Sequence, residues 1–302
     1  MKATSVWVML ALLAASIEPI LVKLGYRGAV TPLQLLLMKN VVGATVILPL
    51  TRHFRLPGVR DAGRIASVSL LLLLTNGLTL YALQRLTAVT VITVVTTTPA
   101  LVALANQALG RDRLGPRFWL GFGICFAGIV LTVDAAGADG YSLDPLGLGI
   151  IALAVLSSTL YRVRMEELTG RYDPRLVSTW VFWINAAVAV LFLAPFLEPI
   201  PAEALPLGLW IGLAAALANV AFLWAIKLVG STNMSIFNLI QRPLVIVAAA
   251  LVLREPLTLS QALGVAMVLA GLPLARATRR NPAAQATPDR PRSGLPAPSA
   301  TR

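Results

Sequence analysis

The sequence predicts an all-α membrane protein: ten transmembrane helices arranged as two inverted five-helix repeats, with the N and C termini both cytoplasmic. Three observations lead there. Ten apolar stretches, each long enough to cross a bilayer, fill the chain almost end to end. The first five resemble the last five at a constant offset. Lysine and arginine are concentrated in alternate loops.

Composition sets the class. Of the 302 residues 57% are hydrophobic and 13% charged, against about 25% charge in a soluble domain. A chain this apolar cannot cover its surface with polar groups, so lipid must cover it. Cys125 is the single cysteine and His53 the single histidine. An intramolecular disulfide, a Cys-rich metal site and the usual zinc and triad constellations are thereby excluded. No metal and no cofactor is expected. No GxxxxGK[ST] sequence for ATP occurs.

The spans, in order, are 4–24, 33–50, 65–84, 88–109, 118–134, 146–165, 176–195, 207–228, 232–253 and 258–275. A helix rises about 1.5 Å per residue, so about 20 residues cross the hydrocarbon core. Met1-Lys2 and the apolar run to Ser16 imitate a cleaved signal peptide, but the run continues to Leu24 and the repeat needs it as a first helix. The connections are too short to hold a soluble domain. The first repeat occupies 1–135 and the second 144–276. Residues 277–302, rich in Pro, Ala, Arg and Ser, read as a disordered cytoplasmic tail.

Orientation follows from loop charge. With the N terminus inside, 19 Lys and Arg face the cytoplasm, Arg162 and Arg164 among them, and 4 face outward. Lys39 and Arg242 lie within spans. The net charge of +12 therefore reflects cytoplasmic loops beside anionic lipid, not a nucleic-acid surface.

A shift of 143 residues aligns the halves without a gap over their central helices. It places Asn76 on Asn219, Tyr81 on Trp224, Arg111-Asp112 on Arg254-Glu255, Gly121 on Gly264 and Gly128 on Gly271. Five spans is an odd number, so the second repeat enters the membrane inverted, a design suited to alternating access.

The segment Leu251 to Leu274, "LVLREPLTLSQALGVAMVLAGLPL", and its partner Ala108 to Leu131, "ALGRDRLGPRFWLGFGICFAGIVL", carry a resemblance to the drug/metabolite transporter superfamily, specifically the EamA-like ten-helix transporters. Each has a leucine-rich helix end, an acidic residue, a short turn, then a helix with Gly and Ala-Gly. Glu255 matches the acidic position, and Asp112 departs from it conservatively. The resemblance covers about residues 4–276. It implies transport without enzymatic activity, favours export, and leaves the substrate open because members move diverse metabolites.

Several residues are candidates for the substrate and ion pathway. Glu18 and Lys39 sit at similar depth in the first two spans, roughly 9 Å below the outer boundary. Each costs about 2.5–3.5 kcal/mol there unless it faces a partner or water. A gated ion pair or proton-sensitive carboxylate is one reading, a structural clasp the other. Arg242, beside Pro243, corresponds by the shift to Pro99. Prolines at matched places point to kinked helices near a central site. Arg242 reads as an anion anchor or as a partner of kink carbonyls or of Glu18. Asn76 and Asn219 suit neutral parts of a substrate or a bond between repeats. Trp224 enters as the mate of Tyr81. Gly121, Gly128, Gly264 and Gly271 are better explained by close helix packing.

The sequence therefore predicts a secondary active transporter in the cytoplasmic membrane. It moves a small anionic or zwitterionic metabolite by alternating access. One alternative is a proton-coupled drug or cation antiporter centred on Glu18. Another, of a different class, is an integral membrane enzyme or lipid-handling protein. Expected partners are the small molecule, membrane lipid and, in the antiporter reading, protons; no nucleic acid is expected.

Overall fold

The computed structural model describes residues 6–14, 21, 30–50, 58–83, 85–86, 88–134, 144–192, 195, 199–241, 243–244 and 258–279. Glu18, His53, Arg242 and Glu255 lie outside the described residues. The helices are α1 (6–14), α2 (Pro32–Ile47), α3 (Val59–Leu83), α4 (Ala88–Val95), α5 (Thr98–Ala108), α6 (Pro116–Asp134), α7 (Pro145–Arg171), α8 (Pro174–Phe192), α9 (Leu205–Val229), α10 (Ser231–Phe237) and α11 (Leu259–Gly271). Among the described residues five helices are long and apolar enough to cross a membrane, and three more apolar helices are shorter.

Helix starts follow local chemistry. Thr31 and Gln34 form a reciprocal capping box at α2, with Thr31 N–H donating to Gln34 Oε1 at 2.8 Å and Gln34 N–H to Thr31 Oγ1 at 3.3 Å. Thr258 and Gln261 repeat the device at α11. Asp144 caps α7 by accepting from Gly147 N–H at 3.0 Å, with Pro145 in the first turn.

The fourth and ninth spans are broken at corresponding places. The fourth leaves α4 at Val95, turns at 96–97 and resumes at Thr98. The ninth leaves α10 at Phe237 and passes through a 3₁₀ turn at Asn238–Ile240. The 143 shift maps 238–240 onto 95–97. Prolines cause both interruptions. Pro99 has no N–H for the carbonyl four residues back, and Thr98 Oγ1 takes that Val95 oxygen at 2.7 Å instead. Thr96 and Thr97 hydroxyls donate to Ile92 and Val94 carbonyls at 2.7 and 2.6 Å, so the bend leaves few backbone groups exposed.

The two halves meet where α6 crosses α11. A Cβ on Gly128 would lie 2.7 Å from the Gly264 carbonyl oxygen, and one on Gly264 would lie 2.5 Å from that of Gly128. Gly271 approaches the Gly121 carbonyl oxygen in the same way. These contacts interchange under the 143 shift, so the interface has pseudo-twofold symmetry. The packing role expected of the four glycines is what the structure contains. Elsewhere α3 packs on α7, and α2 on both α8 and α9. Large apolar side chains such as Leu74, Leu156, Leu191 and Trp210 point outward, as lipid contact requires.

Two boundaries differ from the sequence reading. α7 continues to Arg171, six residues beyond the expected span end. Arg162, counted with the cytoplasmic cations although it falls within the 146–165 span, lines a cavity between the repeats instead; removing it leaves the charge bias intact. At 27 residues this helix is about 40 Å long, longer than the hydrocarbon core of about 30 Å, so its last turns project from it. The described chain also runs past 276. Arg279 and Thr278 pair antiparallel with Asp112 and Arg113.

Candidate functional site

Between the halves lies a cavity of about 190 Å³ lined by both polar and apolar side chains. Lys39, Asn76 and Asn219 all line it. Three residues that the sequence reading did not single out, Tyr161, Arg162 and Asn185, join them. α2 is seated tightly enough to hold Lys39 in place. Its Met38 and Val42 fill the positions where Gly208 and Gly212 of α9 lack side chains, and Phe182 of α8 presses on Gly43.

Arg162 is the dominant charge. Its guanidinium lies over the Phe222 ring, 5.1 Å from the centroid. Among the described residues its hydrogen bonds are long ones to hydroxyls: Nη1 to Ser235 Oγ at 3.4 Å and Nε to Ser158 Oγ at 3.5 Å. None of the ion pairs among the described residues involves it. A guanidinium has five N–H donors, so several remain available to the cavity. Asn219 is oriented by Ser178, whose hydroxyl donates to its Oδ1 at 2.6 Å. The Tyr161 hydroxyl approaches Asn219 but makes no hydrogen bond to a described group, and neither does Asn185 Oδ1. Both side chains are buried. Leaving such atoms unbonded costs about 1–3 kcal/mol each, which water or a ligand in the cavity would offset.

Tyr81 and Trp224 do not line this cavity. Each lies five residues beyond its repeat's asparagine, which rotates it about 140° around the helix. Tyr81 is exposed, with the Arg85 guanidinium over its ring. Trp224 stacks on Trp7 at 5.4 Å and carries Lys227 on its other contacts. Pro99 is buried in α5 and Pro243 in the ninth span, at the breaks and not in the lining.

The end of the bundle at the C terminus of α7 is closed by a hydrogen-bonded latch between the repeats. Asn106 of α5 donates through Nδ2 to Ser231 Oγ at 2.7 Å and Thr232 Oγ1 at 2.8 Å. Glu166 accepts from the Ser231 N–H at 2.9 Å and from its hydroxyl at 2.5 Å. Gly230, at φ 84°, supplies the turn that presents the start of α10 to this carboxylate. Arg111 donates to the Val163 carbonyl at 3.1 Å and pairs with Glu167. Asn233 holds Ala277 by two backbone bonds, N–H to Oδ1 at 3.0 Å and Nδ2 to O at 3.3 Å. At the opposite end, among the described residues, Arg85 pairs with Asp144 at 3.7 Å, and Leu86 of the first repeat packs where Gly147 of the second lacks a side chain.

A family model described as the EamA-like transporter family matches residues 2–134 and again residues 145–276. The chain belongs to that family. The double match restates the internal repeat, and makes this a multi-pass membrane protein of a transporter family. One solved structure, titled only as a crystal structure of a protein, is similar over 91% of this chain and 98% of its own. The TM-score is 0.68 at 19% sequence identity, which carries the fold alone. No curated protein matches the chain.

In this EamA-like protein the overlooked site residues had readable signals. Tyr161 is the 143-shift mate of Glu18, so the repeat pointed to it. Asn185 is polar within an apolar span. Arg162 was hidden because a cation near a span end resembles a loop residue.

Proposed function

We propose that this EamA-like protein is a secondary active transporter of the cytoplasmic membrane, with ten spans, both termini inside, and export as its direction. It carries a small anionic or zwitterionic metabolite by alternating access. The observation that carries this reading is Arg162, a guanidinium facing the cavity between the repeats beside Lys39, with no described carboxylate to neutralise it. Charge taken out of water is normally paired; a substrate anion would supply the pair. The cavity is smaller than the roughly 300–1,000 Å³ of drug-sized sites, which favours a metabolite. The latch supports alternating access: it ties the repeats together at one end through hydrogen bonds that must break for that end to open. Asn76, Asn185 and Asn219 would read neutral groups of the substrate.

The test is binding of size-matched anionic and cationic analogues to the purified wild type and to Arg162→Gln. The anion should bind preferentially, and the substitution should weaken it by about 10- to 150-fold, the equivalent of one charge-assisted hydrogen-bonded contact at about 1.5–3 kcal/mol. Arg162→Lys should recover only part, since the fork is lost. A cation preference untouched by Arg162→Gln would sink the anion reading. It would promote the proton-coupled antiporter, for which Glu18 as mate of the cavity residue Tyr161 is the supporting observation.

A further inference from the structure

A second opening faces outward, away from the transport cavity. It is a groove of about 730 Å³ between α3 and α7, walled mainly by leucine. Leu70, Leu74 and Leu160 are about half exposed along it. Gly77 forms part of its wall, and a Cβ there would meet nothing within 4 Å. The groove is continuous at one end with a basic mouth, because Ser67, Leu160 and Arg164 line both. Arg64 and Arg171 complete the cationic side of the mouth. Two carboxylates stand nearby and both are engaged: Glu167 with Arg111, and Asp61 with Arg64 at 3.5 Å and with the Tyr172 hydroxyl. Among the described residues Arg164 makes one long hydrogen bond, to Ser67 Oγ at 3.4 Å.

We infer that this groove and its arginine mouth form a binding site for an anionic phospholipid, with the phosphate at Arg64, Arg164 and Arg171 and one acyl chain along Leu70 to Leu78. Two features select that occupant over generic bilayer lipid. The first is dimension. From Ser67 to Leu78 the helix rises about 16 Å, one leaflet of a hydrocarbon core about 30 Å thick. A headgroup held at the mouth thus places its chain end near the midplane. The second is charge. Arg64 shares its charge with Asp61, but no ion pair among the described residues involves Arg164 or Arg171, which leaves a surplus of positive charge where a lipid phosphate sits, and arginine matches phosphate geometry in a bidentate manner. The site shares α7 with the transport cavity, where Arg162 turns inward and Arg164, two residues on, turns outward.

The experiment is native mass spectrometry of the purified full-length protein titrated with phosphatidylglycerol and with phosphatidylcholine of identical acyl chains. Wild type should retain phosphatidylglycerol preferentially. Arg64→Gln with Arg164→Gln should reduce that preference by about five-fold per arginine. Gly77→Leu, whose Cβ meets nothing within 4 Å and whose side chain occupies the groove, should weaken both lipids while leaving the headgroup preference. Soluble glycerol phosphate should not displace the lipid, because it lacks the chain. Equal retention of the two lipids by wild type, an unchanged preference in the double arginine variant, no effect of Gly77→Leu, or displacement by glycerol phosphate would each overturn the assignment.

Discussion

Asn106 tests whether the latch governs access. It is buried, belongs to the first repeat, and gives both amide hydrogens to hydroxyls of the second, at 2.7 and 2.8 Å. Asn106→Ala deletes both bonds. Neutral hydrogen bonds contribute about 1 kcal/mol each, and about 0.6 kcal/mol on average within membranes. The latched end should therefore lose about 1–2 kcal/mol relative to the opposite one, a shift of roughly 5- to 30-fold in the opening equilibrium. Ala218 lines the cavity and can report it. In a Cys125→Ala background, an Ala218→Cys side chain should react slowly with a membrane-impermeant maleimide added at the latch side. Adding Asn106→Ala should raise that rate by the same 5- to 30-fold while the rate from the opposite side falls or holds. Equal acceleration from both sides would mean a loosened fold. An unchanged rate would refute the idea that these bonds hold the end shut.

Three further outcomes follow from the geometry. Gly264→Val should lower the melting temperature sharply, since its side chain meets the Gly128 carbonyl and overpacking of this kind costs about 1–3 kcal/mol or more; Gly123→Ala on α6, which faces open space, should be neutral in the same thermal-shift assay. Tyr172 donates its hydroxyl to Asp61, and that bond raises the phenol above its usual range. The folded pKa exceeds the unfolded one, so the contribution is complete below about pH 10. It is lost as pH rises through the folded value, and Tyr172→Phe should remove that alkaline loss from a plot of melting temperature against pH. For Glu18 and Lys39, if the pair matters to the mechanism, Glu18→Gln should impair transport in proteoliposomes and exchanging the two residues should restore part of it; normal transport in Glu18→Gln and in Lys39→Gln would remove the pair from the mechanism.

Much of this architecture was legible before any coordinates. Apolar length, the 143-residue register and the glycine spacing are local or periodic properties, written once per residue along the chain. Asn76, Asn219 and Lys39 could be singled out because a polar group is conspicuous in an apolar span. Tyr81 and Trp224 were placed with them by register alone. Register does not carry rotation about a helix axis, and neither is among the residues that line the cavity.

By itself, the sequence determined the class of molecule, its two repeats and the helix breaks near Pro99 and Pro243, because covalent geometry and transfer from water act on short stretches. Only the tertiary structure decided which polar residues meet. Arg162 faces the cavity and Arg164 the bilayer side of the same helix, a difference of two residues, about 200° of rotation. Asn106 reaches Ser231 and Thr232 across more than a hundred residues of chain. Such meetings depend on how α6 and α11 cross and how α7 lies between α3 and α5. Those are properties of packed pairs, which no single segment of the chain contains.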